Sequence, residues 1–185
     1  LAGCDKINLL GMGGEFTTSE AQIVPQFDCS LAQHISGAKN NQDFLALRIS
    51  PPSVPYKITE VHMQSLVIEE QDCDVHSVEY QLYYSPYILT NPFEGELLLA
   101  DTLEPEGILL DINILESQHI LELERIVEDE GFLYVVIDTS EDNLCIPHCT
   151  TPNDVESLYK RDSRWTIYEA IDAEYDYPLS VQIEW

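Results

Sequence analysis

Basic residues are scarce in this chain. Lysine and arginine together number 8 against 34 aspartates and glutamates, so the 185 residues carry a formal net charge of −26 at pH 7. A surface this negative repels the phosphate backbone of nucleic acids and the headgroups of anionic lipids. The composition therefore predicts no nucleic-acid partner and restricts membrane contact to a covalent anchor. Proteins, further copies of the chain and carbohydrates remain as expected partners.

Long apolar runs are also missing. No stretch approaches the roughly 20 consecutive apolar residues of a membrane span, although hydrophobic residues make up 44% of the chain. The acidic residues are interleaved with aliphatic and aromatic ones, which indicates a folded chain. This length fits one domain. We predict an anchor, tether or docking segment over residues 1–27 and a single domain over residues 28–185.

Sequence signatures of catalysis are absent as well. The chain has no G-x-S-x-G elbow, and its GMGG at residues 11–14 lacks the lysine of a phosphate-binding loop. The histidines at positions 34, 62, 76 and 119 show no ligand spacing. We therefore expect a protein that is not an enzyme. A secreted hydrolase stays open as an alternative, because the many carboxylates allow a pair of the kind that glycosidases use.

Alternation of apolar and polar residues dominates the chain after Asp43. The stretches DFLALRIS, HSVEYQLYYS and PLSVQIEW have the period of two that is typical of strands, and GFLYVVIDTS is apolar on both faces, as a central strand would be. Eight or nine such strands follow one another about every ten residues. The pattern predicts an all-β fold, a jelly-roll-like antiparallel sandwich.

Two short segments have helix signals instead. Residues 28–37, DCSLAQHISG, begin with capping residues and end at a glycine. Residues 151–161, TPNDVESLYKR, have Thr151 as a cap, Pro152 at the first helical position and two cations in the last turn. We predict a short helix at each place.

The five cysteines are Cys4, Cys29, Cys73, Cys145 and Cys149. With Cys4 set aside, four remain, which allow two disulfides in three pairings. Proximity in the sequence favours Cys145 with Cys149, and then Cys29 with Cys73. Zinc is the weaker alternative for the CIPHC stretch, because three close ligands leave its tetrahedral site incomplete.

The first four residues, Leu1 to Cys4, read LAGC. This stretch resembles the lipobox of bacterial lipoproteins, in which the chain is cut before the cysteine and that cysteine is acylated. The resemblance implies lipidation at Cys4 and export to a bacterial cell surface, the periplasm or the medium. A mature lipoprotein would begin at Cys4, whereas three residues precede it here. The body, through PPSVPYKITEV and GFLYVVIDTS, is faintly similar to jelly-roll modules of secreted bacterial proteins.

Two groups of residues are candidates for ligand binding. Asp138, Glu141, Asp142 and Asn143 supply oxygen ligands on one predicted loop, which suits Ca²⁺, although a solvated turn also fits. Tyr83 lies on the polar face of its predicted strand and Tyr87 follows a proline, so both are candidates for stacking on sugar rings.

These features together predict a non-enzymatic extracytoplasmic surface protein. Its role would be structural or adhesive, with sheet edges and loops that bind partners or further copies of the chain. A Ca²⁺-dependent carbohydrate-binding module is the first alternative, and a secreted hydrolase the second.

Overall fold

The computed structural model describes residues 21–27, 35–36, 42–66, 73, 77–104, 109–111, 114–140, 144–150, 155–167 and 175–185. These residues form strands and one short 3₁₀ helix at Pro92–Glu94. The strands are β1 (Ala21–Val24), β2 (Ile35–Ser36), β3 (Phe44–Ile49), β4 (Tyr56–Leu66), β5 (Val78–Ser85), β6 (Glu96–Leu103), β7 (Leu109–Asp111), β8 (Ile114–Val127), β9 (Phe132–Asp138), β10 (Ile146–Pro147), β11 (Cys149–Thr150), β12 (Val155–Arg161), β13 (Arg164–Ile167), β14 (Tyr175–Asp176) and β15 (Leu179–Glu184). Among the described residues, no helix has the length and apolar character needed to cross a membrane.

The strands form two main sheets. One sheet has the order β1-β15-β4-β8-β7 and the other has the order β13-β12-β3-β9-β5-β6. Two small ribbons, β10 with β2 and β11 with β14, complete the described part. Every pairing is antiparallel. The predicted all-β antiparallel sandwich is therefore confirmed, as is the interior position of β9. The predicted eight or nine strands are too few, because the described residues form fifteen, several of them only two to four residues long.

The two main sheets enclose the hydrophobic core. Alternate residues of β3, β5 and β15 belong to this core, which is why the period of two in the sequence predicted these strands. Burying each large aliphatic side chain stabilises the fold by about 1.5–3 kcal/mol. The fully buried side chains at the centre include Leu45, Leu47, Leu133, Val135 and Ile137 from the six-stranded sheet and Ile58, Val61, Met63, Val181 and Ile183 from the five-stranded sheet.

Both segments that were predicted to be helical contain strands in their described residues. Residues 155–161 form strand β12, which pairs with β3 on one side and β13 on the other. A tight turn at Asp162 and Ser163, both with positive φ, joins β12 to β13, and such turns suit two-stranded hairpins. In the other segment, Ile35–Ser36 pair with β10, and residues 28–34 and 37 lie outside the described residues. Pairing on both edges outweighs the capping signals, because local helix propensity is weak.

The outward face of the six-stranded sheet carries a second apolar cluster, the outer cluster. Residues 86–95, which follow β5, contribute Leu89 and Phe93 to it. Tyr83 belongs to this cluster and is only 8% exposed, so its predicted exposure for sugar stacking is wrong. The pairing of β5 with β6 shifts register between Leu82 and Tyr83, and both of these neighbouring residues are buried. The cluster consists of Phe44, Ala46, Tyr83, Leu89, Phe93, Phe132, Tyr134, Val136, Leu158 and Trp165.

The disulfide pairing differs from the prediction. Cys73 is bonded to Cys145, so neither the Cys145–Cys149 pair nor the Cys29–Cys73 pair forms. Cys149 is also disulfide-bonded; Cys4 and Cys29 lie outside the described residues. From Cys145 to Cys149 the chain runs through β10 and into β11. Extended backbone spreads Cα atoms four residues apart by up to about 13 Å, well beyond the roughly 7 Å that a disulfide spans.

Two core tyrosines make the fold sensitive to alkaline pH. Burial, and then Tyr84, raises the pKa of Tyr56; burial, and then Asp101, raises the pKa of Tyr80. A phenol with a raised folded-state pKa stabilises the fold fully below its unfolded value of about 10 and loses that contribution as pH rises further. Above pH 10 we expect each tyrosine to lower the free energy of unfolding by up to about 1.4 kcal/mol per pH unit.

Thermal unfolding between neutral pH and pH 11.5 measures this slope. The double variant Tyr56→Phe, Tyr80→Phe should show a flatter decline than the wild type above pH 10, whatever its stability at pH 7. Parallel curves for the two proteins would contradict the assignment.

Candidate functional site

A pocket of about 430 Å³ opens at one end of the sandwich. The register of the strands brings its walls together, since Tyr56 at the start of β4 pairs with Val127 at the end of β8. In the other sheet, Ser85 at the end of β5 pairs with Phe132 at the start of β9. We call this the end pocket; it is lined by Pro51, Pro52, Ser53, Val54, Tyr56, Pro86, Glu130, Gly131 and Phe132.

Two hydroxyl groups in the wall of the end pocket are buried and have no hydrogen-bond partner among the described residues. They are the Ser53 Oγ and the Tyr56 OH. Tyr56 is 1% exposed, and burial raises the pKa of its hydroxyl. An unsatisfied buried polar group costs about 1–3 kcal/mol.

The loop that closes one side of the end pocket lies close to β5 because Gly131 has no side chain. Tyr84 donates a hydrogen bond from its hydroxyl to the Glu130 carbonyl at 3.0 Å. A Cβ on Gly131 would lie 2.5 Å from the Ser85 carbonyl oxygen and 2.7 Å from the Tyr84 ring. Only glycine lets the loop approach β5 this closely. Glu130, which is exposed, lines the pocket from this loop.

Exposed apolar side chains follow the end pocket's lining residue Pro86 in the chain, and we call this segment the rim. Tyr87 is 75% exposed and Ile88 is 59% exposed, directly after the lining residue Pro86. Their backbone is held in place, because the Tyr87 amide donates to the Ser85 Oγ at 3.1 Å and the Leu89 amide donates to the Tyr134 hydroxyl at 2.7 Å. The exposure of Tyr87 matches what stacking on a ligand requires; the stacking itself remains a prediction.

The electrostatic character of the end pocket is acidic. Glu128, Asp129 and Glu130 are consecutive and exposed. The Arg48 guanidinium lies 5.5 Å from the centroid of the Phe132 ring, but its Nη1 is bonded to the Glu156 carboxylate at 2.6 Å. An anionic ligand would therefore meet carboxylates at the rim and a cation that already has a carboxylate partner.

Of the predicted Ca²⁺ ligands, the structure describes Asp138, which lies away from this site. Asp138 ends β9 and accepts a hydrogen bond from the Ser140 amide at 2.9 Å, while residues 141–143 lie outside the described residues. Phe132, at the pocket, begins the same strand, so seven residues of extended chain separate the two ends by about 20 Å. Within the described ranges, no group of three or more histidine, cysteine, aspartate or glutamate side chains could hold a metal ion.

The end pocket was not predicted from the sequence, although some of its residues lie in segments with recognisable sequence features. Ser53 and Tyr56 lie within PPSVPY, and Glu130 ends the acidic run before Gly131. The run of prolines and the glycine both mark non-repetitive backbone. Which loops meet at one end depends on strand order, and that order is not written in the local sequence.

Tyr134 anchors the rim segment, and its hydroxyl can be tested alone. In Tyr134→Phe the buried ring stays, but the Leu89 amide loses its acceptor. We expect the free energy of unfolding to fall by about 1–3 kcal/mol and hydrogen exchange at the Leu89 amide to accelerate. Denaturation and exchange experiments measure both effects. The matched control is Tyr83→Phe, whose lost hydroxyl bonds only the Gln81 side chain; equal exchange rates in the two variants would contradict the anchoring role.

Comparison with known proteins gives matches among solved structures. No protein-family model matches the chain, and no curated protein matches it significantly. A solved structure that matches is the crystal structure of the cysteine protease and lectin-like domains of Cwp84, a surface-layer-associated protein of Clostridium difficile. The TM-score is 0.48 at 13% sequence identity, over 78% of this chain and 32% of that chain. The chain therefore spans about one third of that structure's length.

Proposed function

We propose that this chain is a non-enzymatic binding domain of an exported bacterial surface protein, and that it engages its partner through the end pocket and its rim. The observation that carries the proposal is the pocket itself, together with the exposed Tyr87, which directly follows the lining residue Pro86 in the chain. A concave site with a few convergent polar groups is the usual form of a ligand site.

The cysteines support export. Cys73 and Cys145 form one disulfide and Cys149 takes part in another, and disulfides persist in oxidising compartments. Acylation at Cys4 would attach such a domain to a membrane and is proposed on the LAGC resemblance alone. Intact mass spectrometry of the protein from its native host tests it: a chain that begins at Cys4 and carries acyl mass supports lipidation, and an unmodified Cys4 contradicts it.

The end pocket favours binding over hydrolysis. Glycoside hydrolysis uses two carboxyl groups that face each other across a cleft, whereas Glu130 is the sole carboxylate among the described residues that line this pocket. The hydrolase alternative would need a second acid at a different place. The Ca²⁺-dependent alternative is weakened at this site by the position of Asp138, at the far end of β9.

A structural or adhesive role through sheet edges is compatible with the same domain. Strand β6 and strand β13 are the two edges of the six-stranded sheet, and edge strands can accept a strand from another chain. A jelly-roll module on a secreted protein, as the sequence resemblance implies, would combine such edges with loops that bind a ligand.

Binding to purified cell envelope tests the proposal without assuming a ligand class. We expect labelled protein to sediment with envelope fractions of the native host, and Tyr87→Ala to weaken this association at least fivefold, because truncation of an aromatic residue that contacts the partner can cost more than 1 kcal/mol. Ile167→Ala is the matched control, since Ile167 is 40% exposed on β13, away from the pocket. No association, or equal loss in both variants, would contradict the proposal.

A further inference from the structure

We infer that Cys149 is bonded to Cys29, which leaves Cys4 as the single cysteine outside any disulfide and so the one available for modification. Cys149 takes part in a disulfide, and Cys73 and Cys145 are bonded to each other. Of the five cysteines in the sequence, Cys4 and Cys29 therefore remain as possible partners. The pairing depends neither on the end pocket nor on the LAGC resemblance.

The described chain comes close to Cys149 two residues before Cys29. The Phe27 side chain packs against a buried apolar cluster that consists of Leu66, Cys73, Cys145 and Cys149. Two residues of fully extended chain span at most about 7 Å, and a disulfide joins Cα atoms up to about 7 Å apart. Covalent geometry therefore keeps Cys29 near this cluster.

Strand β2 leads back to the same place from the other side of Cys29. Ile35 pairs with Pro147 in an antiparallel ribbon. Pro147 precedes Cys149 by two residues, and Cys29 precedes Ile35 by six. The segment that contains Cys29 thus begins at Phe27, in contact with the cluster, and ends at a residue paired two positions from Cys149.

Cys4 is not bracketed in this way. The part of the chain that the structure describes begins at Ala21, 17 positions after Cys4, and Ala21 pairs with Glu184 in the five-stranded sheet. To bond Cys4 to Cys149, the intervening residues would have to be ordered at a cost in conformational entropy. The residues on both sides of Cys29 are already held by the fold, so Cys29 has the higher effective concentration at Cys149.

The two bridges then meet in one buried place. Cys145 and Cys149 are four residues apart and fully buried, and Cys73 is 3% exposed. An odd cysteine in an exported protein is a candidate for modification or for a bond to another chain. Modification of Cys4 would leave both cross-links of the domain intact, as a residue reserved for attachment requires.

Differential alkylation of the wild-type chain tests the pairing. The full chain, produced without acylation and folded under oxidising conditions, is denatured and treated with N-ethylmaleimide, then reduced and treated with iodoacetamide. Trypsin separates the two candidates, because cleavage after Lys6 and Lys39 places Cys4 in peptide 1–6 and Cys29 in peptide 7–39. We expect maleimide on peptide 1–6 and iodoacetamide on every other cysteine. Maleimide on peptide 7–39 would overturn the inference.

A chain without any maleimide is resolved on a non-reducing gel. A dimer that Cys4→Ser abolishes would support the pairing, because Cys4 would then have bonded to a second copy; a monomer would overturn it. Melting temperature gives a second readout with a matched pair of variants. Cys29→Ser should lower it by about 4–20 °C, the effect of losing a native disulfide in a domain of this size, and Cys4→Ser should leave it unchanged.

The opposite ranking of the two variants would also overturn the inference. Acylation at Cys4 would then fail with it, because Cys4 would be part of a bridge. Binding through the end pocket is measured separately, in the envelope experiment with Tyr87→Ala, and either outcome here leaves that proposal standing.

Discussion

Replacing Cys73 and Cys145 together by alanine is expected to lower the free energy of unfolding by about 4 kcal/mol. The bridge joins residues that are 72 positions apart, so it lowers the conformational entropy of the unfolded chain more than a local disulfide would. In a domain of this size such a loss lowers the melting temperature by about 8–16 °C. Urea denaturation of the wild type and the double variant, with all other cysteines retained, measures the difference directly.

The position of the bridge adds a packing contribution. Cys73 and Cys145 are buried in a small apolar cluster with Leu66 and Cys149, and the Leu66 amide donates to the Cys145 carbonyl at 2.8 Å. Alanine leaves no polar group there, so the expected loss reflects the cross-link and its packing. A loss of less than 1 kcal/mol in the free energy of unfolding would contradict this expectation, because the bridge would then constrain neither the folded nor the unfolded state.

Cys4→Ala is the matched control, and it tests a second prediction. If the LAGC resemblance is right, Cys4 is reserved for the lipid and its replacement leaves the stability of the folded domain unchanged. A loss of several kcal/mol in Cys4→Ala would indicate that Cys4 is the partner of Cys149, and lipidation at Cys4 would then be excluded. Mass spectrometry with and without reduction counts the bridges in each variant.

The strands could be predicted from the sequence because their signal is local. In β5, Val78, Tyr80 and Leu82 face the core, as their alternation indicates. In β3, Leu45, Leu47 and Ile49 likewise face the core. Each of these features depends on residues within one segment.

The errors arose where distant parts of the chain compete with local signals. The segment 155–161 has a plausible helical face, yet β3 offers it a row of backbone partners from Ile49 to Phe44. Tyr83 was expected to be exposed by alternation, but residues 86–95 cross the outer face of the sheet and contribute to the cluster that buries it. The end pocket could not be predicted for the same reason, because its walls come from three segments that only strand order brings together.

Gly131→Ala is the second substitution for which we expect a large effect. The new methyl group would lie 2.5 Å from the Ser85 carbonyl oxygen, 2.7 Å from Tyr84 Cε2 and 3.0 Å from the Tyr84 hydroxyl. The loop must then move away from β5 and lose the hydrogen bond from Tyr84 to the Glu130 carbonyl. Overpacking of this kind costs about 1–3 kcal/mol. Denaturation measures the loss, and NMR should show amide shifts concentrated at residues 51–56 and 128–132.

A second substitution identifies which contact dominates. Tyr84→Ala removes the ring and hydroxyl that the new methyl group would meet, but the Ser85 carbonyl belongs to the backbone of β5, which pairs with β9 at Phe132, and cannot move without disturbing that pairing. Added to Tyr84→Ala, Gly131→Ala should therefore still destabilise the domain by at least half as much as it does in the wild type. If the substitution became neutral in that background, the close approach would be limited by the tyrosine ring alone. The glycine would then be required by a single replaceable side chain, and the shape of the end pocket would not be fixed by the backbone of the sheet.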